Sequence, residues 1–153
     1  MDGIGHALAL SLAQQRRRFL NIQLRHAGGA RFIAEARQHR VLVDQPAEDG
    51  ATDQGITPAE LLLVALGGCL GQHVAQYLRM RDLPAEDLLI RVEAARATRP
   101  MRLCDFHVEV IIPGMSERQL QALEKSLPAG IVHNALLREN NIRITVSSAD
   151  AQQ

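Results

Sequence analysis

Aromatic residues, cysteines and net charge are all scarce in this sequence of 153 residues, which has no Trp, 1 Tyr, 3 Phe and 2 Cys. Its 17 Lys and Arg residues balance its 17 Asp and Glu residues. A neutral chain has no bulk electrostatic attraction to nucleic acid or to an anionic membrane, and few aromatic residues leave little to build base-stacking platforms from. Two cysteines do not make the disulfide framework of a small secreted protein. We therefore expect neither a nucleic-acid partner nor a disulfide-stapled scaffold.

The hydrophobic content, 46% of residues, is enough for a packed core, and the length suits one domain. An apolar run at residues 7–13 precedes the arginines at 16–18, whereas a secretory signal places its positive charges first. The sequence thus predicts a cytoplasmic protein in which thiols stay reduced. Three parts are expected: a helical or frayed extension over 1–18, a single domain over 19–146 and a flexible tail over 147–153.

The first third reads as a small antiparallel meander. Residues 19–25 alternate, with Leu20, Ile22 and Leu24 on one face, which is typical of a half-buried strand. Two further short strands are predicted over 31–37 and 40–44, and the polar stretch 45–55 is predicted to be a loop.

A long apolar helix follows. Thr57 can cap it, Pro58 suits its first position, and Glu60 completes a capping box. Residues 61–78 have almost no polar stripe, so a soluble helix of this kind must be surrounded by protein. A membrane span is the competing interpretation, but the glycines, glutamines and histidine within 61–78 dilute the run, and we expect no membrane partner.

The remaining segments complete an α+β fold. Strands are predicted over 88–94 and 102–112, and the inward residues of the second strand are Cys104, Phe106, Val108, Val110 and Ile112. A second capping box at Ser116 starts a helix, another helix covers 131–140, and a last strand turns Ile142, Ile144 and Val146 inward. Strands, helices and strands in this order exclude a doubly wound sheet. A dimer whose subunits cover each other's apolar helix would explain the long apolar run.

Cys69 is the first candidate for chemistry. It lies within Leu66-Gly67-Gly68-Cys69-Leu70-Gly71, where each glycine costs roughly 1 kcal/mol of helix stability relative to Ala. Either close packing against another helix or a break at Gly67-Gly68 would justify this cost. A break would leave exposed amides near Cys69 that favour its thiolate. An ordinary buried core thiol is the alternative.

Other constellations are weaker. Cys69 and His73 are four residues apart and share a helix face, which suits a thiol–base pair or half of a metal site. Two ligands do not make a zinc site. His133 with Asn134 also matches part of a thiol-protease set, and no phosphate-binding glycine motif is present. We expect no metal and no cofactor.

A family resemblance adds to these residues. Residues 57–69, TPAELLLVALGGC, resemble the signature helix of the OsmC/Ohr family, the osmotically inducible and organic hydroperoxide resistance proteins. Weaker matches follow in order at 83–87 (LPAED), 102–110 and 132–134 (VHN). The resemblance implies an intertwined homodimer, with antiparallel sheets wrapping long central helices and active sites at the subunit interface. It also implies reduction of organic hydroperoxides by a cysteine, with a small thiol or dithiol as reductant.

Carried over by position, the resemblance makes Cys69 the peroxidatic cysteine, Glu60 the helix-start glutamate and Arg31 the activating arginine of the first sheet. Glu60 lies one residue nearer the cysteine than the corresponding glutamate of the hydroperoxide reductases with the clearest activity, and Ala59 occupies the position of that glutamate. One helix residue rotates a side chain by about 100°, so Glu60 as a cap only remains an alternative. Arg31 as a solvated strand residue is the other alternative.

The second family cysteine is missing. Its expected place falls near Gly130, and no cysteine lies within 128–133. Cys104 is the other thiol and is either a substitute resolving cysteine or an ordinary core residue. Two functions follow. One is a redox protein in which Cys69 reduces a hydroperoxide with an external thiol; the other is a noncatalytic dimer that binds a small hydrophobic ligand.

Overall fold

The computed structural model describes residues 20–147, so the predicted extension over 1–18 lies outside the described residues, as does residue 148 onward of the predicted tail. The chain divides into two compact units, Met1–Pro58 and Ala59–Gln153, and the single domain over 19–146 stays a prediction. The described part combines antiparallel sheets with a long helix. The predicted α+β class is therefore confirmed.

The first unit contains a three-stranded antiparallel meander, β1 (Gln23–His26), β2 (Phe32–Ala36) and β3 (His39–Val43). A turn with positive φ at Gly28 and Gly29 joins β1 to β2, a conformation that glycine adopts without strain. Ala34 and Val43 are buried on the inner face. This sheet confirms the predicted meander.

The sequence predicts a half-buried first strand, and this prediction is wrong for a single copy of the chain. The β1–β2 ladder ends at the pair Gln23 and Glu35, so Leu20 and Ile22 lie beyond it. Leu20, Ile22 and Leu24 are all exposed. Alternation in the sequence indicates an apolar face, but it does not say which surface covers that face.

The loop after β3 is fixed by a buried carboxylate. Asp44 is 1% exposed and accepts hydrogen bonds from the Thr52 hydroxyl at 2.6 Å and from the backbone N–H groups of Gln45 and Gln54. These hydrogen bonds lower the pKa of Asp44. The bond from Thr52 has the largest effect and the bond from the backbone N–H of Gln54 the next largest, and together they outweigh burial, which raises the pKa. One side chain thereby closes the predicted loop, which also contains a 3-10 helix, Ala47–Asp49.

The second unit is built on the helix α1, Pro58–Arg79. Val74 and Leu78 are fully buried in a core with Ile112 and Leu123. Val64, however, is 58% exposed, so the prediction of a helix enclosed on nearly all sides is not met within one chain. Of the described helices, α1 alone is long and apolar enough to cross a membrane, a test of length and composition that the core helix of a soluble protein also passes.

Two of the three glycines of α1, Gly67 and Gly71, face a β-hairpin, β4 (Leu89–Thr98) and β5 (Met101–Ile111). A Cβ at Gly67 would lie 2.7 Å from Val92 Cγ2, and a Cβ at Gly71 would lie 3.4 Å from Ile90 Cγ1. Close packing therefore justifies both glycines, although a strand makes the contact and not the second helix that we expected. The alternative of a break at Gly67-Gly68 is wrong, because α1 runs through it without interruption.

The C-terminal part contains two short helices, α2 (Glu117–Ser126) and α3 (Ile131–Leu137). The capping box at Ser116 is confirmed. The Ser116 hydroxyl accepts a hydrogen bond from the backbone N–H of Gln119, and the Gln119 side chain accepts one from the backbone N–H of Ser116. The last predicted strand is wrong, because residues 141–147 form no strand. Its apolar side chains, Ile142, Ile144 and Val146, are exposed, since no described strand pairs with this segment.

Candidate functional site

Cys69 lies in the middle of α1 and is half-buried. Its side chain lines a pocket of about 340 Å³ within the second unit. The pocket walls are apolar apart from Cys69 and His133, and the other lining residues are Leu66, Leu70, Val108, Leu127, Pro128, Ala129 and Gly130. A free thiol at an apolar pocket is an arrangement that can bring sulfur to the reactive atom of a hydrophobic molecule.

Gly130 forms the wall directly opposite the thiol. A Cβ built on Gly130 would clash with Cys69 Sγ and would lie 3.3 Å from His73 Nε2. Gly130 is the N-cap of α3 and accepts a hydrogen bond from the Asn134 amide at 2.9 Å, while the Asn134 side chain donates to the Ala129 carbonyl. The position where the resemblance places a second cysteine is thus next to Cys69, and the Cys69 sulfur fills the space that a side chain would need.

Histidines flank this contact. His73 approaches Gly130 from the same face of α1 as Cys69, as the four-residue spacing predicted. His133 lines the pocket from α3. The residues 20–147 contain no group of three His, Cys, Asp or Glu side chains that could hold a metal ion.

Cys104 belongs to a different environment. It pairs with Ala95 across the β4–β5 hairpin, and its thiol donates to the Asp105 carboxylate at 3.4 Å and to the Ala95 carbonyl at 3.7 Å. The bond to Asp105, then burial, raises the pKa of Cys104. Val108, not Cys104, is the β5 residue that lines the pocket. The predicted inward position of Cys104 is wrong, because a β-bulge with positive φ at Asp105 shifts the register and puts Cys104 on the face of the hairpin opposite to Val108. Both cysteines are free thiols.

Arg31 is fixed within the first unit. Its Nη1 donates to Gln54 Oε1 at 2.8 Å, and its Nε donates to the Gly28 carbonyl at 3.3 Å. The Gly28 turn and the Asp44-anchored loop therefore hold the guanidinium in place. Its predicted role at a thiol stays a prediction.

Glu60 starts the same helix that carries Cys69. The two residues are nine positions apart on a continuous helix. An α-helix turns about 100° and rises about 1.5 Å per residue, so their side chains point about 180° apart and are separated by roughly 13 Å along the axis. A contact between them within one chain is excluded, and any role of Glu60 at a thiol requires a second copy of the chain.

Reasoning from sequence missed part of this site. Leu127 and Val108 line the pocket, yet the sequence pattern indicates only ordinary apolar positions of a helix and a strand for them. The pair Tyr77 and Arg81 was also missed, although it continues the four-residue spacing of Cys69 and His73. The Arg81 guanidinium lies 3.7 Å from the centre of the Tyr77 ring.

Comparison with known proteins gives one match to a family. The model of the family described as OsmC-like protein matches residues 51–147, which include α1, the hairpin, α2 and α3. No curated protein sequence matches the chain significantly.

Solved structures share the fold at low sequence identity. A protein from Psychrobacter arcticus 273-4, described as an osmotic stress induced and detoxification response protein, is 15% identical with a TM-score of 0.68, covering 78% of this chain and 89% of that one. An OsmC-like protein from Mycoplasma pneumoniae is 20% identical with a TM-score of 0.63, covering 78% and 88%. An organic hydroperoxide resistance protein from Legionella pneumophila is 16% identical with a TM-score of 0.55, covering 78% and 91%.

Proposed function

The chain belongs to the OsmC-like protein family, and from this membership we propose that it is a thiol-dependent redox protein in which Cys69 reduces organic hydroperoxides. One observation carries the proposal: the Cys69 thiol is free and lines an apolar pocket. The structural relative from Legionella pneumophila is named as an organic hydroperoxide resistance protein. We place the reaction in the cytoplasm, where a thiol reductant is available.

The chemistry follows from thiol reactivity. The Cys69 thiolate attacks the outer oxygen of the hydroperoxide, an S–O bond forms, the O–O bond breaks, and the alkoxide takes a proton and leaves as an alcohol. Cys69 is oxidised to sulfenic acid. The apolar walls, among them Leu66 and Leu127, would hold the organic part of the substrate and limit access of water.

An external thiol completes this cycle. Gly130 has no sulfur, and Cys104 does not line the pocket. Its thiol is instead hydrogen-bonded to Asp105 and Ala95. The external thiol condenses with the sulfenic acid, releasing water and leaving a mixed disulfide on Cys69. A second thiol then reduces that disulfide and restores Cys69.

Consumption of cumene hydroperoxide with excess dithiol tests this proposal. We expect turnover in the native protein and in Cys104→Ser, and loss of turnover in Cys69→Ser. Cys104→Ser is the matched control, because it removes the other thiol of the chain. Loss of turnover in both variants would show that Cys104 forms the disulfide with oxidised Cys69, and would overturn the cycle with an external thiol. No turnover in the native protein would overturn the peroxidase proposal.

Ligand binding without catalysis is the second candidate, and the apolar lining of the Cys69 pocket favours it. A chain of this kind would not consume hydroperoxide. Its Tm would instead rise with cumyl alcohol, a ligand without the O–O bond, and Leu127→Gln would abolish the rise.

A further inference from the structure

The proposed reaction needs a proton donor as well as a nucleophile. Attack by the Cys69 thiolate on the outer oxygen of a hydroperoxide leaves an alkoxide on the other oxygen, and an alkoxide is a strongly basic leaving group. A side chain that supplies the proton in the transition state typically accelerates such a step by about 10²–10⁴-fold. A side chain with a transferable proton beside Cys69 would therefore act directly on the rate.

The lining of the Cys69 pocket contains such a side chain. Apart from Cys69 itself, the residues within 20–147 that line this pocket have aliphatic side chains or none, with the exception of His133. Histidine is the most frequent general acid in enzymes, because an imidazole gives and takes a proton readily near neutral pH. Among the described lining residues, His133 is thus the side chain that can protonate a leaving oxygen in the pocket.

The start of α3 places His133 close to the thiol. His133 is three residues after Gly130, and a Cβ built on Gly130 would clash with Cys69 Sγ. The first turn of α3 is closed by the bond of 2.9 Å from the Asn134 amide to the Gly130 carbonyl. Residues three apart on a helix have Cβ atoms about 5–6 Å apart on one face. An imidazole at His133 can therefore reach an oxygen that is held at the sulfur.

His73 also approaches the thiol, but from outside the pocket lining. A Cβ at Gly130 would lie 3.3 Å from His73 Nε2, so the His73 ring lies at the side of the contact between Cys69 and Gly130. His73 is not among the residues that line the Cys69 pocket, whereas His133 is. A substrate in the pocket thus meets the imidazole of His133.

We propose that His133 is the general acid of hydroperoxide reduction and donates its proton to the leaving oxygen. This inference rests on the proposed function, since only the break of an O–O bond creates an alkoxide in the pocket. The thiolate, the hydroperoxide and the imidazolium give sulfenic acid, an alcohol and a neutral imidazole. The S–O bond forms, and the electron pair of the O–O bond goes to the leaving oxygen, which takes the proton of His133. His133 is exposed, so solvent returns the proton after each turnover.

The experiment compares two oxidants whose leaving groups differ in basicity. Cumene hydroperoxide releases an alkoxide and needs a proton, whereas peracetic acid releases acetate, a weak base that needs none. Each oxidant is added to the reduced protein in a Cys104→Ser background, and loss of the free Cys69 thiol is followed by mass spectrometry of quenched samples. The rate of Cys69 alkylation by iodoacetamide is measured separately, because loss of iodide needs no proton donor.

We expect His133→Gln to slow oxidation by cumene hydroperoxide about tenfold to a hundredfold. Oxidation by peracetic acid and alkylation by iodoacetamide should be unchanged. His107→Gln is the matched control, because His107 is an exposed histidine of β5 that does not line the pocket, and it should alter none of the three rates. Added imidazole should restore oxidation by cumene hydroperoxide in His133→Ala, a rescue that a structural role of His133 would not produce.

Three results would overturn the inference. An equal loss with both oxidants in His133→Gln would show that His133 supports the thiol and not the leaving group. An unchanged rate with cumene hydroperoxide would show that water supplies the proton. A selective loss with cumene hydroperoxide in His73→Gln, and not in His133→Gln, would assign the proton to the other histidine.

Failure of the proposed function gives a different result. In the three cases above, cumene hydroperoxide still oxidises Cys69 in the native protein, and only the role of His133 is lost. A native protein whose Cys69 is not oxidised by cumene hydroperoxide would overturn the proposed function and, with it, the role of His133.

Discussion

Gly130 determines what Cys69 can touch. The absence of a side chain at this position leaves space that Cys69 Sγ occupies, and the His73 ring closes it from the side. The sequence pointed to Gly130 only as a missing cysteine. Its contact with the thiol depends on how α3 is held against α1, which spacing along the chain does not encode.

A methyl group at Gly130 should therefore be costly. We expect Gly130→Ala to lower the free energy of unfolding by about 1–3 kcal/mol and to slow alkylation of Cys69, because the new Cβ displaces the sulfur. Gly68→Ala is the matched control. Its Cβ would meet nothing within 4 Å, and Ala is favoured in a helix by about 1 kcal/mol. Equal stability of Gly130→Ala and the native protein in urea denaturation would contradict the described contact.

The Cys104 thiol should react slowly with alkylating agents. Its hydrogen bond to Asp105, followed by burial, raises its pKa, so less of it is thiolate at neutral pH than in a free cysteine. We expect iodoacetamide to modify Cys104 more slowly than free cysteine in a Cys69→Ser background, and Asp105→Asn to speed the reaction. Alkylation faster than that of free cysteine would instead support Cys104 as a redox centre.

At the scale of elements, the sequence correctly predicted those features of helices and strands that neighbouring residues determine. The capping box at Ser116 and the start of α1 at Pro58 were predicted correctly, since each depends on neighbouring residues. The alternation of β5 was predicted correctly only from Phe106 onward, because a register shift at Asp105 moves Cys104 to the other face. The strand over 142–146 was predicted wrongly for the opposite reason. A strand forms only with a partner ladder, and the sequence does not name the partner.

The loop after β3 gives a pH dependence of stability. Folding lowers the pKa of Asp44 through its bonds from Thr52 and Gln54. The carboxylate thus contributes stability that is fully present above its unfolded pKa of about 4 and is lost as the pH falls through the lower folded pKa. We expect Asp44→Asn to be less stable at neutral pH and to lose less of its stability on acidification.

Urea denaturation at a series of pH values tests this. Asp49→Asn, in the exposed 3-10 helix of the same loop, is the matched control and should follow the native curve. An acid profile that is identical in Asp44→Asn and the native protein would show that the Asp44 bonds do not contribute.

At the scale of the whole molecule, apolar side chains remain exposed in both units. Leu24 in the first unit and Val64 and Ile144 in the second are examples. Exposed apolar residues in such numbers are typical of an interface. The sequence predicted a homodimer whose subunits cover each other's apolar helix, whereas the other surfaces that such a dimer would bury could not be predicted, because they depend on the partner's shape.

We expect sedimentation equilibrium to give about twice the chain mass of 16.8 kDa. Val64→Glu should shift the protein toward monomer, because a charge on the exposed face of α1 would be buried without a partner. Met101→Glu, at the exposed tip of the hairpin, is the matched control and should remain dimeric. A native protein with the mass of one chain at all concentrations would contradict the dimer.

In the proposed reaction, Cys69 alone takes oxygen from the peroxide. The most direct test adds one equivalent of cumene hydroperoxide to the fully reduced protein and traps sulfenic acid with dimedone, followed by peptide mass spectrometry. We expect a dimedone adduct on Cys69, none on Cys104, and no disulfide between the two cysteines when dimedone is omitted. An unmodified Cys69, or a disulfide joining Cys69 to Cys104, would contradict it.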